Sequence, residues 1–278
     1  MLAVTSAVDV SAQGVDAAFR KFWEARNPQE AGRAAADVVR AGVGFDEAVA
    51  RLKRGRTYSA NVPRGIVRLS RQSGRQVFYY DLNVPATYDP ARAYQVRVQL
   101  HGGVGGQDTS GPRGDGSIGE MAGPEAVQQI YLLPYAWRDG PWWTDAQLEN
   151  LRAILDSVKR TYNVDENRVA LSGVSDGGTA AYYFAMRDTT PFASFLPLNG
   201  FIMVLANPAV NAEGDLYPNN FRNKPFFVVH GGADPLYPIR LVDPYIEHLI
   251  GGGVEVDYRP QPTAGHNTSW WPDLKEDF

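Results

Sequence analysis

The chain of 278 residues contains no cysteine, which excludes disulfide bridges, a thiolate nucleophile and any Cys-ligated zinc or iron–sulfur centre. Histidine is scarce: there are four, dispersed and without a His-Glu-x-x-His pattern, so no catalytic metal and no cofactor is expected. Nowhere do about 18 apolar residues run together, and Met1 to Val10 holds no cationic stretch followed by an apolar core, so neither a membrane span nor a leader is read. That favours the cytoplasm, whereas prior removal of a leader would place the protein in the periplasm or outside the cell. Basic charge is not in excess either. With 27 Lys and Arg against 31 Asp and Glu, the net charge is -4, which offers no attraction for a phosphate backbone and argues against nucleic acid as a partner.

What is present is an ordinary globular composition, 44% hydrophobic and 21% charged, sufficient for a sizeable core. Two regions differ in texture. Residues 1–58 are Ala-rich, with Phe19, Phe22, Trp23, Val38, Val39, Val43, Val49 and Leu52 at helical spacing, which predicts two or three helices. Ser11 and Asn27-Pro28 read as helix starts, and Gly42, Gly44 and Gly55 as stops. This helical extension offers a surface for homodimerisation or a cover for a pocket.

Residues 59–278 alternate strand and helix signals. Gly65 to Leu69 and Gln76 to Val84, separated by Ser73-Gly74, predict an antiparallel hairpin. Strands are then expected at Tyr94 to Leu100, Gln129 to Leu133, Arg168 to Leu171, Phe195 to Leu198, Phe226 to Val229 and Val254 to Tyr258. Helices are expected from Thr144 or Asp145 through Tyr162, from Ser175 to about Arg187, and near Leu241 to Ile250. The alternation implies an α/β fold with a mostly parallel central sheet and helices on both faces.

The chemistry concentrates at Gly173-Val174-Ser175-Asp176-Gly177-Gly178, a Gly-x-Ser-x-Gly sequence between a strand and a helix. A nucleophilic serine there needs a sharp turn, which glycines two positions away on either side permit. Serine needs a base, normally a histidine oriented by a carboxylate. His101 precedes a glycine-rich loop, His230 lies at a strand end in His230-Gly231-Gly232-Ala233-Asp234, His248 rides a helix, and His266 lies in the loop Ala264-Gly265-His266-Asn267. Ser172 and the Asp176 side chain are expected to point away from the nucleophile. The glycines from 102 to 119 lack the Gly-Lys-Ser/Thr and Gly-x-Gly-x-x-Gly patterns of nucleotide cradles.

Together these stretches resemble the α/β-hydrolase superfamily over residues 60–278. The sequences Val84-Pro85, Tyr88-Asp89-Pro90 and Tyr162-Asn163-Val164-Asp165 look like its polyhydroxybutyrate-depolymerase-like and feruloyl-esterase-like branch. The resemblance implies Ser175 as nucleophile and, by the family's chain order, His266 as base and an acid between the two. Asp234, just past a strand, fits best, its alternative being an Asp-Pro turn residue; Asp243 is the fallback and Asp215 is weaker. An oxyanion hole would use the amides of Asp176 and Gly103, with Val104 next. His230 is expected to be structural and His248 to lie at the surface. Trp142, Trp143 and Trp270, with Trp271 beside them, are either walls of an aromatic- or sugar-binding pocket or core packing. The helices of residues 1–58 have no counterpart in the family core, and the stretch after His266 is shorter than the family's C-terminal helix requires.

The implied activity is a serine carboxylic-ester hydrolase, acting through an acyl-enzyme on a small or aromatic- or sugar-linked ester. A prolyl-oligopeptidase-like serine peptidase and a hydrolase-shaped binding protein without catalysis are the alternatives.

Overall fold

A computed structural model of the protein describes residues 6–112, 114–124, 126–208 and 218–278. The chain divides into two compact units, Met1–Tyr58 and Ser59–Phe278. The first holds three helices, α1 (Ser6–Glu24), α2 (Pro28–Arg40) and α3 (Phe45–Arg54). Asn27 caps α2 by accepting from the Glu30 amide at 2.9 Å, and the Glu30 carboxylate accepts from the Arg26 amide at 2.8 Å, a reciprocal arrangement that satisfies otherwise orphaned donors. Val15, Ala18, Phe19 and Ala34 are buried, and Arg51 stacks over Phe19 and bonds to Asp16. Ser11 lies inside α1 rather than at its start, and Gly44 begins α3 rather than ending α2.

The second unit is built on one eight-stranded sheet. Its strands are β1 (Gly65–Ser73), β2 (Gln76–Val84), β3 (Tyr94–Leu100), β4 (Gln129–Pro134), β5 (Val164–Val174), β6 (Ser194–Leu198), β7 (Phe226–Gly231) and β8 (Val256–Gln261). They lie in the order β1-β2-β4-β3-β5-β6-β7-β8. The β1–β2 hairpin pairs Gly65 with Val84 and Ser73 with Gln76, and Gly74 adopts φ 57° in the turn. The β2–β4 pair is also antiparallel, and the remaining pairs are parallel. Among the described residues the unit's α-helices are α4 (Asp145–Thr161), α5 (Asp176–Arg187), α6 (Ile239–Gly251) and α7 (Trp271–Leu274).

Successive strand residues project to opposite faces, and the two faces differ. Val96, Val98, Leu100, Leu171, Phe195 and Phe226 join a large core with Leu148, Leu151, Ile154, Leu155 and Val158 of α4 and with buried residues of α5 and α6. The other face carries a smaller cluster, Ala170, Leu196, Leu198, Phe227 and Val229 against Trp270 and Trp271. The fully buried Arg97 shares this side, stacking over Trp271 at 4.6 Å and donating to Ser172 Oγ at 3.1 Å. Burial pushes its guanidinium down to about 10. Ser172 therefore points away from Ser175, as expected.

The strand order reverses at β3, whose neighbours β4 and β5 lead away in opposite directions, and ligands of open α/β sheets bind at such a switch point, outside the carboxyl ends of the strands. The turns and loops after β3, β5, β7 and β8 carry Gly103, Ser175, Asp234 and His266 respectively.

Candidate active site

The turn from β5 into α5 is held by close backbone packing. Ser175 sits at φ 57°, ψ -118°, a region that costs an L-residue about 1–3 kcal/mol and persists only when its surroundings enforce it. The enforcement is visible. A Cβ on Gly173 would lie 2.1 Å from the Gly177 carbonyl oxygen, and one on Gly177 would lie 2.2 Å from the Leu100 carbonyl oxygen. Only glycine lets β5, α5 and the end of β3 approach this closely. The Ser175 amide donates to the Leu198 carbonyl at 2.9 Å, anchoring the turn to β6.

The turn after β3 lies directly against the serine, since a Cβ on Gly102 would be 2.8 Å from Ser175 Cβ. His101 braces it. Its Nδ1 bonds to the Gly102 carbonyl at 2.9 Å, so that nitrogen carries the proton, and its Nε2 accepts from the Ala136 amide at 3.0 Å. Trp142 packs on the imidazole with centroids 5.0 Å apart and donates Nε1–H to the His101 carbonyl at 2.9 Å.

Gly103 has φ 63°, which turns the Val104 amide onto Asp176 Oδ2 at 2.8 Å. That contact corrects one expectation. The Asp176 carboxylate is turned onto the neighbouring turn rather than onto Ser175, and Val104, whose only N–H is engaged, is no longer a free donor for an oxyanion. Among the described residues the Gly103 amide meets no acceptor. The Asp176 amide, at the start of α5, has none within the helix.

On the opposite side, Ser175 Oγ lies 2.8 Å from His266 Nε2, and His266 Nδ1 lies 2.6 Å from Asp234 Oδ2. An ionised carboxylate only accepts, so Nδ1 bears the proton and Nε2 is left to accept from the hydroxyl. Asp234 is also the turn residue of its alternative reading. Its Oδ1 accepts from the amides of Leu236 at 2.8 Å and Tyr237 at 3.0 Å. Burial alone would raise its carboxyl, but the Tyr237 amide, the His266 ring and the Leu236 amide together hold it below the ordinary range.

Asp243 is engaged instead with the Tyr258 hydroxyl at 2.7 Å, and Asp215 lies outside the described residues. His230 is fully buried, with Nε2 on the Tyr237 carbonyl at 2.7 Å. Burial is the main cause holding its pKa down. His248 is exposed on α6.

The tryptophans belong to packing. Trp142 is 1% exposed, Trp270 5% and Trp143 8%, leaving too little ring for a substrate to stack on. Trp271 is wholly buried and donates to the Ala122 carbonyl at 2.8 Å. The expectation of aromatic walls from 142, 143 and 270 is therefore replaced by a core role.

One residue that sequence reasoning missed ties the site together. Asn199, at the end of β6, is fully buried at φ 47°. Its Nδ2 donates to the Asn267 carbonyl at 2.7 Å, and its Oδ1 accepts from the Gly231 amide at 2.9 Å. A single amide thus fixes both the loop carrying His266 and the strand end that precedes Asp234. The one available signal was an Asn-Gly pair directly after an apolar strand, which suggests a positive-φ turn but no link to distant loops.

Among the described residues, no group of three His, Asp or Glu is placed to hold a metal, and no helix is long and apolar enough to cross a membrane.

No family model matches the chain. A curated relative, the bifunctional acetylxylan esterase/xylanase XynS20E of Neocallimastix patriciarum, is 30% identical over 95 residues, covering 34% of this chain and 12% of that protein. Among solved structures, a putative dipeptidyl aminopeptidase IV from Bacteroides ovatus matches at TM-score 0.63 and 18% identity, over 77% of this chain and 34% of its own. A ferulic acid esterase matches at TM-score 0.57 and 16% identity, over 76% of this chain and 95% of its own. The chain thus spans only a small part of the first two proteins and nearly all of the third. Likeness at these identities speaks to architecture, and with the strand order and the strained serine turn it leads to one conclusion: residues 59–278 have the α/β-hydrolase fold.

Proposed function

We propose that the protein is a serine carboxylic-ester hydrolase that works through an acyl-enzyme. The observation that carries this reading is the continuous path from Ser175 Oγ to His266 at 2.8 Å and on to Asp234 at 2.6 Å, beside two amides available to a developing negative charge. His266 accepts the Ser175 proton as Oγ attacks the ester carbonyl, and Asp234 holds the imidazole in the required tautomer and stabilises its cation. The Asp176 and Gly103 amides bind the carbonyl oxygen as it becomes an anion; losing one such donor typically costs about 2.7–4 kcal/mol of barrier stabilisation. The proton then passes to the departing alcohol, and water repeats the sequence to release the acid.

The acetylxylan esterase and ferulic acid esterase likenesses support an ester of a sugar or an aromatic acid as the substrate class. The aminopeptidase likeness favours peptide hydrolysis as the second reading. Nitrophenyl acetate, a feruloyl ester and a peptide nitroanilide presented to one preparation distinguish them, the esters being cleaved and the anilide left intact. Ser175→Ala is expected to lower kcat by at least about 10⁴-fold. A variant that keeps most of its turnover would remove the assignment.

A further inference from the structure

The segment between Asp234 and α6 runs Pro235-Leu236-Tyr237-Pro238, and its tyrosine touches both the carboxylate and the imidazole of the relay. The Tyr237 amide donates to Asp234 Oδ1 at 3.0 Å, and its carbonyl accepts from His230 Nε2 at 2.7 Å. Its ring stands edge-on to His266, with centroids 5.3 Å apart at 83°. Phe201 backs the same ring at 5.7 Å. Backbone and ring are thus both fixed, with proline limiting φ on the C-terminal side.

The phenol faces the start of α5. Burial, followed by the charges of Asp176 and Asp234, pushes it up to about 12, and the neighbouring Thr179 and Ser175 hydroxyls offset part of that rise. It therefore keeps its proton throughout the range in which a histidine base operates. Thr179 Oγ1 is already engaged, accepting from the Phe201 amide at 3.1 Å and donating to the Phe201 carbonyl at 3.4 Å. Ser175 Oγ gives its own proton to His266 and retains lone pairs for another donor.

We infer that Tyr237 is a further residue of the catalytic centre: its ring fixes the His266 imidazole, and its O–H donates a hydrogen bond to Ser175 Oγ whenever that oxygen carries negative charge. This rests on the serine-hydrolase reading above. Charge builds on Oγ twice. During attack the Oγ–H proton moves to His266 Nε2 as the Oγ–carbon bond forms. During breakdown of the acyl-enzyme that bond breaks, its electron pair stays on Oγ, and the proton returns from His266. The phenol transfers no proton in either step; it shares one.

The test compares the wild-type full chain with Tyr237→Phe and Tyr237→Leu, using nitrophenyl acetate in stopped-flow and steady-state measurements. Tyr237→Phe removes one oxygen and keeps the ring, so it is expected to fold and to lose about tenfold in kcat, with KM unchanged within about twofold and the acylation burst slowed in parallel. Tyr237→Leu also removes the support of the imidazole and is expected to lose about 100-fold. A Phe variant with wild-type kcat overturns the inference, as does a change confined to KM, which would make Tyr237 a substrate wall. A Leu variant no slower than the Phe variant removes the role of the ring. Fluorophosphonate labelling of the wild type, mapped to its peptide, separates this from the parent reading. Wild type labelled at Ser175 beside an unchanged Phe variant sinks the inference alone, whereas unlabelled wild type sinks both.

Discussion

The two halves of the site share close backbone packing and differ in what is added to it. On the Ser175 side, the turns after β3 and β5 are fixed by steric exclusion, with backbone pressed against backbone at Gly102, Gly173 and Gly177. On the relay side, the loops after β7 and β8 are pressed together as well, since a Cβ on Gly231 would lie 2.3 Å from the Gly265 carbonyl oxygen and one on Gly232 2.6 Å from the Pro262 carbonyl oxygen, and directional hydrogen bonds through Asn199, Asp234 and Tyr237 are added to that packing. Steric contact tolerates almost nothing, because no side-chain adjustment can move a main-chain carbonyl out of the way. Hydrogen bonds fail by degrees, each typically worth about 0.5–1.5 kcal/mol. The difference teaches that the strained Ser175 is positioned chiefly by main-chain packing, while the orientation of the His266 side chain depends also on a few replaceable groups.

Gly177→Ala is the strongest way to break this comparison. Its Cβ would meet the Leu100 carbonyl oxygen at 2.2 Å, so a destabilisation of about 3 kcal/mol or more is expected, together with loss of ester hydrolysis. A soluble, active variant with a wild-type melting temperature would show that the steric account is wrong.

On the relay side, Asn199→Ala should leave the serine turn intact and loosen the His266 loop, which keeps its packing on Gly231 and Gly232. The expected result is a kcat lowered about 10–100-fold at nearly constant KM, with circular dichroism unchanged. Full activity would mean that the His266 loop holds its place without this amide.

A pH titration sharpens the same contrast. His230 is held below its ordinary 6.5 chiefly by burial, so folding favours its neutral form. Its contribution to stability is complete above about pH 6.5 and is lost as pH falls through the lower folded value, because the unfolded chain then takes up the proton first. The depressed Asp234 carboxyl acts in the same direction further into acid, below 3.8. Melting temperatures measured between pH 7.5 and pH 5 (about one unit or more either side of the ordinary His value) should fall more steeply for wild type than for His230→Gln, which keeps a nitrogen donor for the Tyr237 carbonyl. Parallel slopes would reject the assignment.

The smallest effect is expected at Trp142→Phe, which loses the indole bond to the His101 carbonyl and leaves a small void. About 1–2 kcal/mol of stability should go, seen as a melting point lower by a few degrees, with kcat changed less than in the Asn199 variant. A larger loss of kcat than of stability would mean that the β3 turn depends on hydrogen bonding more than on close packing.

These contrasts also explain what could be read in the sequence. β3 and the β5–α5 turn were legible because an apolar strand, flanking glycines and an amphipathic helix each leave a local mark. The start of β5 was not: Asp165, Glu166 and Asn167 are polar, yet they extend the strand back to Val164. β8 was expected at Val254 to Tyr258 and lies at Val256–Gln261. As an edge strand it accommodates Pro260 and half-exposed polar residues, which blurs its signal. Asp176 and Asn199 were opaque because their partners, Val104, Gly231 and Asn267, are distant in sequence. The tryptophans misled because aromatic residues serve cores and pockets equally well, and only burial separates the two.

The divided labour of the Asp234 carboxylate, one oxygen on the Leu236 and Tyr237 amides and the other on His266, limits what could replace it. A glutamate would displace both oxygens by a methylene. An asparagine is the informative substitute: its carbonyl can still knit the turn, but its NH₂ group would then face Nδ1 and draw out that nitrogen's lone pair. The imidazole would present a hydrogen to Ser175 in place of an acceptor. The molecule would look nearly the same and be chemically inverted, so this position separates architecture from reactivity by the exchange of a single atom.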